Sequence, residues 1–262
     1  MSLAQISGVV MDMDGVLWRG DELLHGVGRW FALLQQQQIP FVLATNNSAK
    51  TPADYVHKLE RLGISGVAER QIITSGTTTV DYLQRHYTRG TAVHVLGGDG
   101  LRALVAGAGF TLADHAQVVV VGIDTQLTYD KLKRAALLLR AGADFIGTND
   151  DRSIPTQEGL APGAGSILAA LRAATDREPL VMGKPHAPMF ATALALLGST
   201  PERTLMIGDR LDTDIAGAHA AGFQTALVLT GVATRADVAA SSIQPDNVYV
   251  DIAAMATAFT QT

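Results

Sequence analysis

The sequence predicts an α/β fold built around a parallel β-sheet. Short apolar runs rich in β-branched residues, such as residues 117–121, are typical of strands buried on both faces of such a sheet. Helical stretches separate these runs along the chain, which is the alternation expected of βαβ units. Polar or acidic residues follow several of the runs, and ligands bind at the carboxyl ends of strands in open α/β sheets.

Composition narrows the class of protein further. The chain has 262 residues, 47% of them hydrophobic and 17% charged, which is enough for one large domain or two smaller ones. A net charge of −5 and the lack of a basic block disfavour nucleic acid as a partner. There is no cysteine, which excludes disulfides and thiolate sites, and no apolar run long enough to span a membrane. We therefore expect a cytoplasmic protein without a membrane partner, and a homodimer is left open.

The predicted elements alternate in order along the chain. Strands are predicted at residues 9–11, 40–44, 72–75, 92–96, 117–121, 144–146, 204–207 and 225–229. Helices are predicted at residues 27–38, from residue 51 onward, and at 77–86, 100–108, 129–139, 164–173, 188–197 and 215–221. Glycines and prolines at residues 155–165 indicate loops, and residues after 234 are expected to form a strand and a helix packed on the outside.

The first predicted strand ends in two aspartates, Asp12 and Asp14. Because burying an unpaired carboxylate is costly, we expect both where the strand leaves the sheet. Side chains alternate along a strand, so these two point the same way if the strand continues through them. Gly15 then allows a turn or a close approach to a ligand. An acidic turn that merely closes a strand would show the same pattern.

Polar residues also follow two other predicted strands, and a separate segment offers a lysine. These residues are Thr45, Asn46, Lys184, Asp209 and Asp214. If the three strands share one parallel sheet, their loops lie along one edge of it. Carboxylates gathered there cannot all stay ionised unaided, and a divalent cation would neutralise them. Oxygen ligands favour Mg²⁺, which is therefore the predicted cofactor.

Magnesium and lysine together would attract a dianion such as a phosphate monoester. Asp12 can attack phosphorus as a nucleophile, while Asp14 can protonate the leaving oxygen and later activate water. The groups expected to hold the phosphate oxygens are Thr45, the Asn46 backbone and Lys184. Asp209 would bind the metal, whereas Asp214 would either bind it through water or orient its ligands.

These motifs resemble those of the haloacid dehalogenase (HAD) superfamily of phosphohydrolases, and more narrowly its NagD-like branch, which includes nitrophenyl-phosphatase and phosphoglycolate-phosphatase relatives. The four matching segments are residues 11–17, 43–48, 183–185 and 207–214. A middle stretch, residues 145–150 followed by 159–163, is similar to the large α/β cap of that branch. The resemblance covers nearly the whole chain.

The resemblance implies a Rossmann-like core at residues 1–77 and 179–262, with an α/β cap at residues 78–178 inserted into it. It also implies the site residues: Asp12 as nucleophile, Asp14 as acid and base, Asp12, the Asp14 carbonyl and Asp209 as Mg²⁺ ligands, and Thr45, Asn46 and Lys184 as phosphate ligands. The cap covers the site in this branch, so Asn149 and Asp150 are candidates for substrate contact, although loop roles explain them as well.

The implied reaction is Mg²⁺-dependent hydrolysis of a small phosphorylated metabolite through an aspartyl-phosphate. Sugar phosphates, nucleoside monophosphates and phosphoglycolate all remain candidate substrates. Three alternatives stay open: transfer of the phosphoryl group to an acceptor other than water, a non-catalytic sensor of phosphorylated ligands, and a dinucleotide-binding protein. The dinucleotide-binding interpretation comes from residues Gly98 to Ala103, which fit G-x-G-x-x-A between a predicted strand and a helix.

Overall fold

A computed structural model describes residues 5–156 and 158–260. Its strands are β1 (Gly8–Met11), β2 (Trp18–Arg19), β3 (Glu22–Leu23), β4 (Phe41–Thr45), β5 (Ile72–Thr74), β6 (Ala92–Leu96), β7 (Thr111–Leu112), β8 (Val118–Val121), β9 (Asp144–Gly147), β10 (Ser153–Thr156), β11 (Gly159–Pro162), β12 (Leu180–Val181), β13 (Thr204–Gly208), β14 (Gln224–Val228) and β15 (Asn247–Tyr249). Its α-helices are α1 (Val27–Gln36), α2 (Pro52–Arg61), α3 (Ser75–His86), α4 (Asp99–Gly107), α5 (Tyr129–Arg140), α6 (Ala164–Thr175), α7 (Ala187–Leu197), α8 (Ala216–Ala220), α9 (Arg235–Ala240) and α10 (Ile252–Thr260). None of the helices in this described part is both long and apolar enough to cross a lipid bilayer.

The chain divides into two compact units. The first comprises residues 1–45, 52–73 and 184–262, and the second comprises residues 46–51 and 74–183. The outermost residues of the predicted core, 1–4 and 261–262, lie outside the described part of the chain. Both units alternate strands with helices, which confirms the predicted α/β class.

The first unit contains a six-stranded sheet in the order β15-β14-β13-β1-β4-β5. Strand β1 runs parallel to β13 on one side and to β4 on the other, with Met11 opposite both Ile207 and Leu43. All three strands are buried along their whole length. This register brings their carboxyl ends together, as the sequence predicts for strands that end in polar residues.

The C-terminal helix α10 belongs to the core of the first unit. Its residues Ile252, Met255 and Phe259 are buried, and the Phe259 ring lies 5.7 Å from the ring of Trp30 in α1. The strand and the helix predicted after residue 234 are present as β15 and α10, but α10 contributes to the core instead of only packing on its outside. The reason is that apolar residues spaced by three and four positions form one buried helix face, while β15 closes the edge of the sheet.

The second unit has a five-stranded sheet in the order β12-β9-β8-β6-β7, with every neighbouring pair parallel. Its central strand β8 is a run of four buried valines, as expected of a parallel strand covered on both faces. Strands β10 and β11 form an antiparallel ribbon where the sequence predicts loops from residue 155 onward. The reason is that both strands of a two-stranded ribbon are edge strands, and edge strands tolerate proline. Residue 157 of this region is outside the described part of the chain.

Candidate active site

Asp12 stands at the point where β1 leaves the sheet. Its backbone N–H still donates to the carbonyl of Ile207, at 2.9 Å, so the strand's ladder fixes the residue's position. Its side chain is 13% exposed. One carboxylate oxygen, Oδ1, lies 2.5 Å from the Nζ of Lys184, which comes from a segment 172 residues further along the chain.

Lys184 is the cationic centre of this cluster and is only 2% exposed. Besides Asp12, its Nζ contacts Oδ1 of Asp214 at 2.8 Å and the carbonyl oxygen of Ala44 at 3.0 Å. An ammonium group has three donors, and these partners can use all of them. Burial disfavours its charge, but the two carboxylates outweigh burial and raise the pKa of Lys184 above its usual range. The lysine therefore carries its charge inside the protein.

Asp214 is held in place by the loop that follows β13. Its Oδ2 accepts hydrogen bonds from the backbone N–H groups of Asp209 and Arg210, both at 3.1 Å. Gly208 is required for this arrangement, because a Cβ there would lie 2.2 Å from the Cβ of Asp214. Asp214 thus orients the backbone of the loop that carries Asp209.

Asp209 is packed between two glycines. Its Oδ2 accepts a hydrogen bond from the N–H of Val232 at 2.7 Å. A Cβ added at Gly231 would lie 1.8 Å from this oxygen, and one at Gly15 would lie 2.6 Å from it. Side chains at these two positions would therefore occupy the space around the carboxylate.

The three carboxylates suit a small divalent cation. Asp12, Asp209 and Asp214 each offer an oxygen, and these oxygens lie within 4.8 Å of one another. An all-oxygen donor set of this kind fits Mg²⁺ better than a transition metal that prefers nitrogen or sulfur. The residues present therefore fit the predicted metal.

Without a bound metal ion, ionising Asp12 and Asp209 is unfavourable, even though Lys184 is close by. Burial, with Asp214 and Asp209 adding to it, raises the pKa of Asp12 well above its usual value, although Lys184 opposes the rise. Burial and the charge of Asp214 likewise raise the pKa of Asp209 to about 6. Asp12 and Asp209 therefore both favour a bound positive charge at neutral pH.

Asp209→Asn is expected to stabilise the metal-free protein at pH 7.5 by about 1–3 kcal/mol. The pKa of Asp209 is raised to about 6 in the folded protein and is about 4 in the unfolded chain. The free energy of unfolding therefore falls as the pH rises from about 4 to about 6. An amide avoids this cost and still accepts the Val232 bond. The measurement is urea unfolding in EDTA at pH 7.5 and 4.5, with the gain shrinking at the lower pH.

The matched control is Asp212→Asn, three residues further on. Arg210 hydrogen-bonds Asp212 and lowers its pKa, so this substitution should bring no gain in stability. With Mg²⁺ in excess, wild type should be more stable than Asp209→Asn, because only wild type keeps all the metal ligands. A wild type that is at least as stable as Asp209→Asn in EDTA at pH 7.5 would contradict the electrostatic account.

Asp14 lies on the loop that follows Asp12, and its side chain is exposed. Its Oδ1 accepts a hydrogen bond of 2.7 Å from the indole N–H of Trp18. The sequence leaves Trp18 either in contact with substrate or in the core, and the structure buries it completely. Sequence reasoning does not identify this hydrogen bond, since the burial of Trp18 in strand β2 depends on residues of helix α2.

The remaining predicted residues fall in both units. Thr45 is the buried last residue of β4 in the first unit, next to the Ala44 carbonyl that binds Lys184. Asn46 begins the second unit, where its carbonyl oxygen accepts a hydrogen bond from Nδ2 of Asn149 at 2.8 Å. Asp150 is half-buried in the same unit. Their proposed contacts with phosphate or substrate remain predictions.

The glycine motif at the start of α4 has a packing explanation. Gly98 is the N-cap residue of the helix, after strand β6, as the sequence predicts. At Gly100, a Cβ would lie 2.8 Å from the carbonyl oxygen of Ala49. Close contact between the helix and this backbone thus accounts for the second glycine of the motif without a dinucleotide.

Two family models match the chain. One is described as haloacid dehalogenase-like hydrolase and matches residues 9–111, and the other is described as HAD-hydrolase-like and matches residues 181–255. Among curated proteins, an acid sugar phosphatase from Staphylococcus aureus is 36% identical over 252 residues, which cover 95% of this chain and 96% of the relative.

Solved structures of similar proteins cover nearly the whole chain. The 4-nitrophenylphosphatase from Thermotoga maritima is 35% identical and superposes with a TM-score of 0.93, covering 98% of each chain. NagD from E. coli is 30% identical, with a TM-score of 0.87 and coverage of 97% of this chain and 98% of its own. The similarity therefore extends across both units.

Proposed function

The chain belongs to the haloacid dehalogenase-like hydrolases, in their NagD-like branch, and we propose that it hydrolyses small phosphate monoesters through a phosphorylated Asp12. It is a phosphatase of this class, as its relatives are. One observation above all supports the course of the reaction: Asp12, Lys184, Asp209 and Asp214, which are far apart in sequence, converge in the first unit.

In the first proposed step, a carboxylate oxygen of Asp12 attacks phosphorus. The bond between phosphorus and the leaving oxygen breaks, its electron pair stays on that oxygen, and Asp14 donates a proton to it. Asp12 is suited to attack because Lys184 fixes one of its oxygens while the side chain keeps some exposure. The product is an aspartyl-phosphate and a free alcohol.

In the second step, water attacks the phosphorus of the aspartyl-phosphate. Asp14 takes a proton from the water, the bond between phosphorus and the Asp12 oxygen breaks, and inorganic phosphate leaves. The same carboxyl group thus acts first as an acid and then as a base, which restores both aspartates. A carboxylate at position 14 favours rapid hydrolysis of the intermediate.

Charge in the transition state is offset by the groups around Asp12. We assign Lys184 to one phosphate oxygen, since its ammonium group is buried and already adjacent to the nucleophile. Thr45 and Asn46 are proposed to hold further phosphate oxygens. When bound, Mg²⁺ supplies positive charge that offsets both the carboxylates and the phosphate dianion.

The proposed Mg²⁺ ligands are Asp12, the backbone carbonyl of Asp14, and Asp209. Asp214 is proposed to orient these ligands, because its Oδ1 contacts Lys184 and its Oδ2 accepts two backbone N–H groups. This division leaves Asp214 within the carboxylate cluster and gives both of its oxygens other partners.

Small sugar phosphates are the first candidate substrates, since a curated relative carries the name acid sugar phosphatase. Nucleoside monophosphates and phosphoglycolate are the next to test. We propose that residues 1–77 and 179–262 form the catalytic core and residues 78–178 a cap that selects the substrate. Asn149 and Asp150 are the cap residues assigned to substrate contact.

Purified protein with Mg²⁺ is expected to release inorganic phosphate from several of these esters, with kcat/KM measured for each by phosphate detection. Excess EDTA should stop the release and added Mg²⁺ should restore it, because the carboxylate cluster then regains its cation. Alcohol produced without free phosphate would show transfer to another acceptor. Activity indifferent to EDTA would count against the metal, and binding without turnover would overturn the proposed function.

A further inference from the structure

The loop that carries Asp14 closes on itself before the chain continues. The N–H of Gly15 donates to the carbonyl of Trp18 at 2.8 Å, and the N–H of Leu17 donates to that of Met13 at 2.8 Å. Gly15 has a φ of +84°, a conformation that favours glycine. The loop therefore holds Asp14 and Trp18 side by side.

The indole of Trp18 is held by two contacts to its ring and by a hydrogen bond at its edge. Its ring is 0% exposed and stacks on the ring of Tyr55 at 6.3 Å with an angle of 14°. The Nζ of Lys58 lies 4.3 Å from the ring centre and donates to the carbonyl of Gly20 at 2.8 Å. A buried indole N–H requires an acceptor, and the acceptor here is Oδ1 of Asp14 at 2.7 Å.

We propose that Trp18 is the positioning residue for Asp14 in catalysis, an inference that rests on the proposed function. Asp14 is the exposed residue of this loop, and an exposed aspartate otherwise rotates among several rotamers. The rigid N–H selects one rotamer and occupies Oδ1, so that Oδ2 is the oxygen that gives and takes the proton. Asp14 is then oriented before substrate binds.

The test compares two substrates whose leaving groups differ in their need for a proton. An alkyl phosphate such as glycerol phosphate needs a general acid, whereas 4-nitrophenolate leaves without one. Trp18→Phe should lower kcat/KM for the alkyl ester about 10- to 100-fold and change kcat/KM for 4-nitrophenyl phosphate by less than about threefold. This split reports on the acid step, because kcat/KM excludes the later hydrolysis of the intermediate.

A second readout follows the base step. Since Asp14 also activates water, Trp18→Phe should hydrolyse the aspartyl-phosphate slowly. Stopped-flow mixing with 4-nitrophenyl phosphate should therefore show a burst of nitrophenolate close to the enzyme concentration, followed by slow turnover. A variant that is merely misfolded in part would show a smaller active fraction and no such burst.

The matched control is Trp30→Phe. Trp30, the other of the two tryptophans, is also 0% exposed, lies in the same core cluster, and donates its N–H to Sδ of Met11 at 3.3 Å. It should lose stability and leave the ratio between the two substrates unchanged. If Trp18→Phe does not fold, β-(3-benzothienyl)alanine in place of Trp18, in the Trp30→Phe chain, keeps the ring size and removes only the N–H.

Asp14→Asn distinguishes a failure of the positioning role of Trp18 from a failure of the proposed function. If Asp14→Asn is inactive on the alkyl ester but Trp18→Phe affects both substrates equally and shows no burst, the positioning role is overturned and the proposed function stands. If Asp14→Asn turns over the alkyl ester at the wild-type rate, the proposed function fails, and the role of Trp18 fails with it.

Discussion

Replacing Asp12 with Asn is expected to abolish turnover, with kcat reduced at least about 10⁴-fold, the scale on which loss of a covalent nucleophile acts. An amide does not attack phosphorus, so no aspartyl-phosphate forms. The fold should persist, because the Asn oxygen can still accept the hydrogen bond that Lys184 gives to Oδ1 of Asp12. The measurement is kcat for the best ester of the panel, with circular dichroism as the check on folding.

Acid quenching with ³²P-labelled substrate provides a direct test of the intermediate. Wild type should retain acid-stable, hydroxylamine-labile label, and Asp12→Asn should retain none. Asp21→Asn, an exposed aspartate of the same unit, is the control and should match wild type. A kcat within tenfold of wild type for Asp12→Asn, or label that survives the substitution, would remove Asp12 from the role of nucleophile.

Much of the fold follows from local patterns that tertiary packing does not alter. Strand β8 is predicted within one residue of its observed start because four consecutive valines suit only a strand covered on both faces. The ribbon β10–β11 and the core helix α10 are different. The ribbon pairs residues that are close in sequence, such as Thr156 with Gly159, but its glycines and prolines suggest loops instead of two edge strands. The place of α10 depends on α1, which is distant in sequence, and local propensity is easily outweighed by such contacts.

In the candidate site, too, some groups can be predicted from local sequence and others cannot. Asp12 and Asp209 are visible in the sequence because a carboxylate cannot continue a buried strand without a cost in free energy. The backbone groups that complete the site are the carbonyl of Ala44, which accepts a hydrogen bond from Lys184, and the N–H of Val232, which donates one to Asp209. The sequence does not reveal them, because backbone groups are the same in almost every residue. The meeting of these groups requires the parallel register of the sheet, which no single motif contains.

Lys184→Met is expected to remove both activity and stability, and the two losses should respond differently to Mg²⁺. Without the ammonium group, Asp12 and Asp214 are buried carboxylates with no cation between them. Breaking a buried ion pair from one side costs about 3–5 kcal/mol, which should appear as a lower free energy of unfolding in EDTA at pH 7.5. The loss should be smaller near pH 5, where the raised pKa of Asp12 favours protonation in the folded state.

Mg²⁺ should restore part of this stability, because a divalent cation also neutralises the carboxylates, but it should leave kcat at least about 10³-fold below wild type, since the lysine's own contact with phosphate is still missing. Lys58→Met is the matched control: Lys58 is another buried lysine of the same unit, and it donates to the backbone carbonyl of Gly20 and lies over the ring of Trp18. Its loss of stability should therefore show no additional recovery with Mg²⁺. Urea unfolding and phosphate release, each with and without Mg²⁺, measure both quantities.

Two outcomes would contradict this account of Lys184. If Mg²⁺ brings Lys184→Met back to within tenfold of wild-type kcat, the lysine serves only to balance charge in the folded protein. If the variant is as stable as wild type in EDTA, the carboxylates do not depend on the lysine.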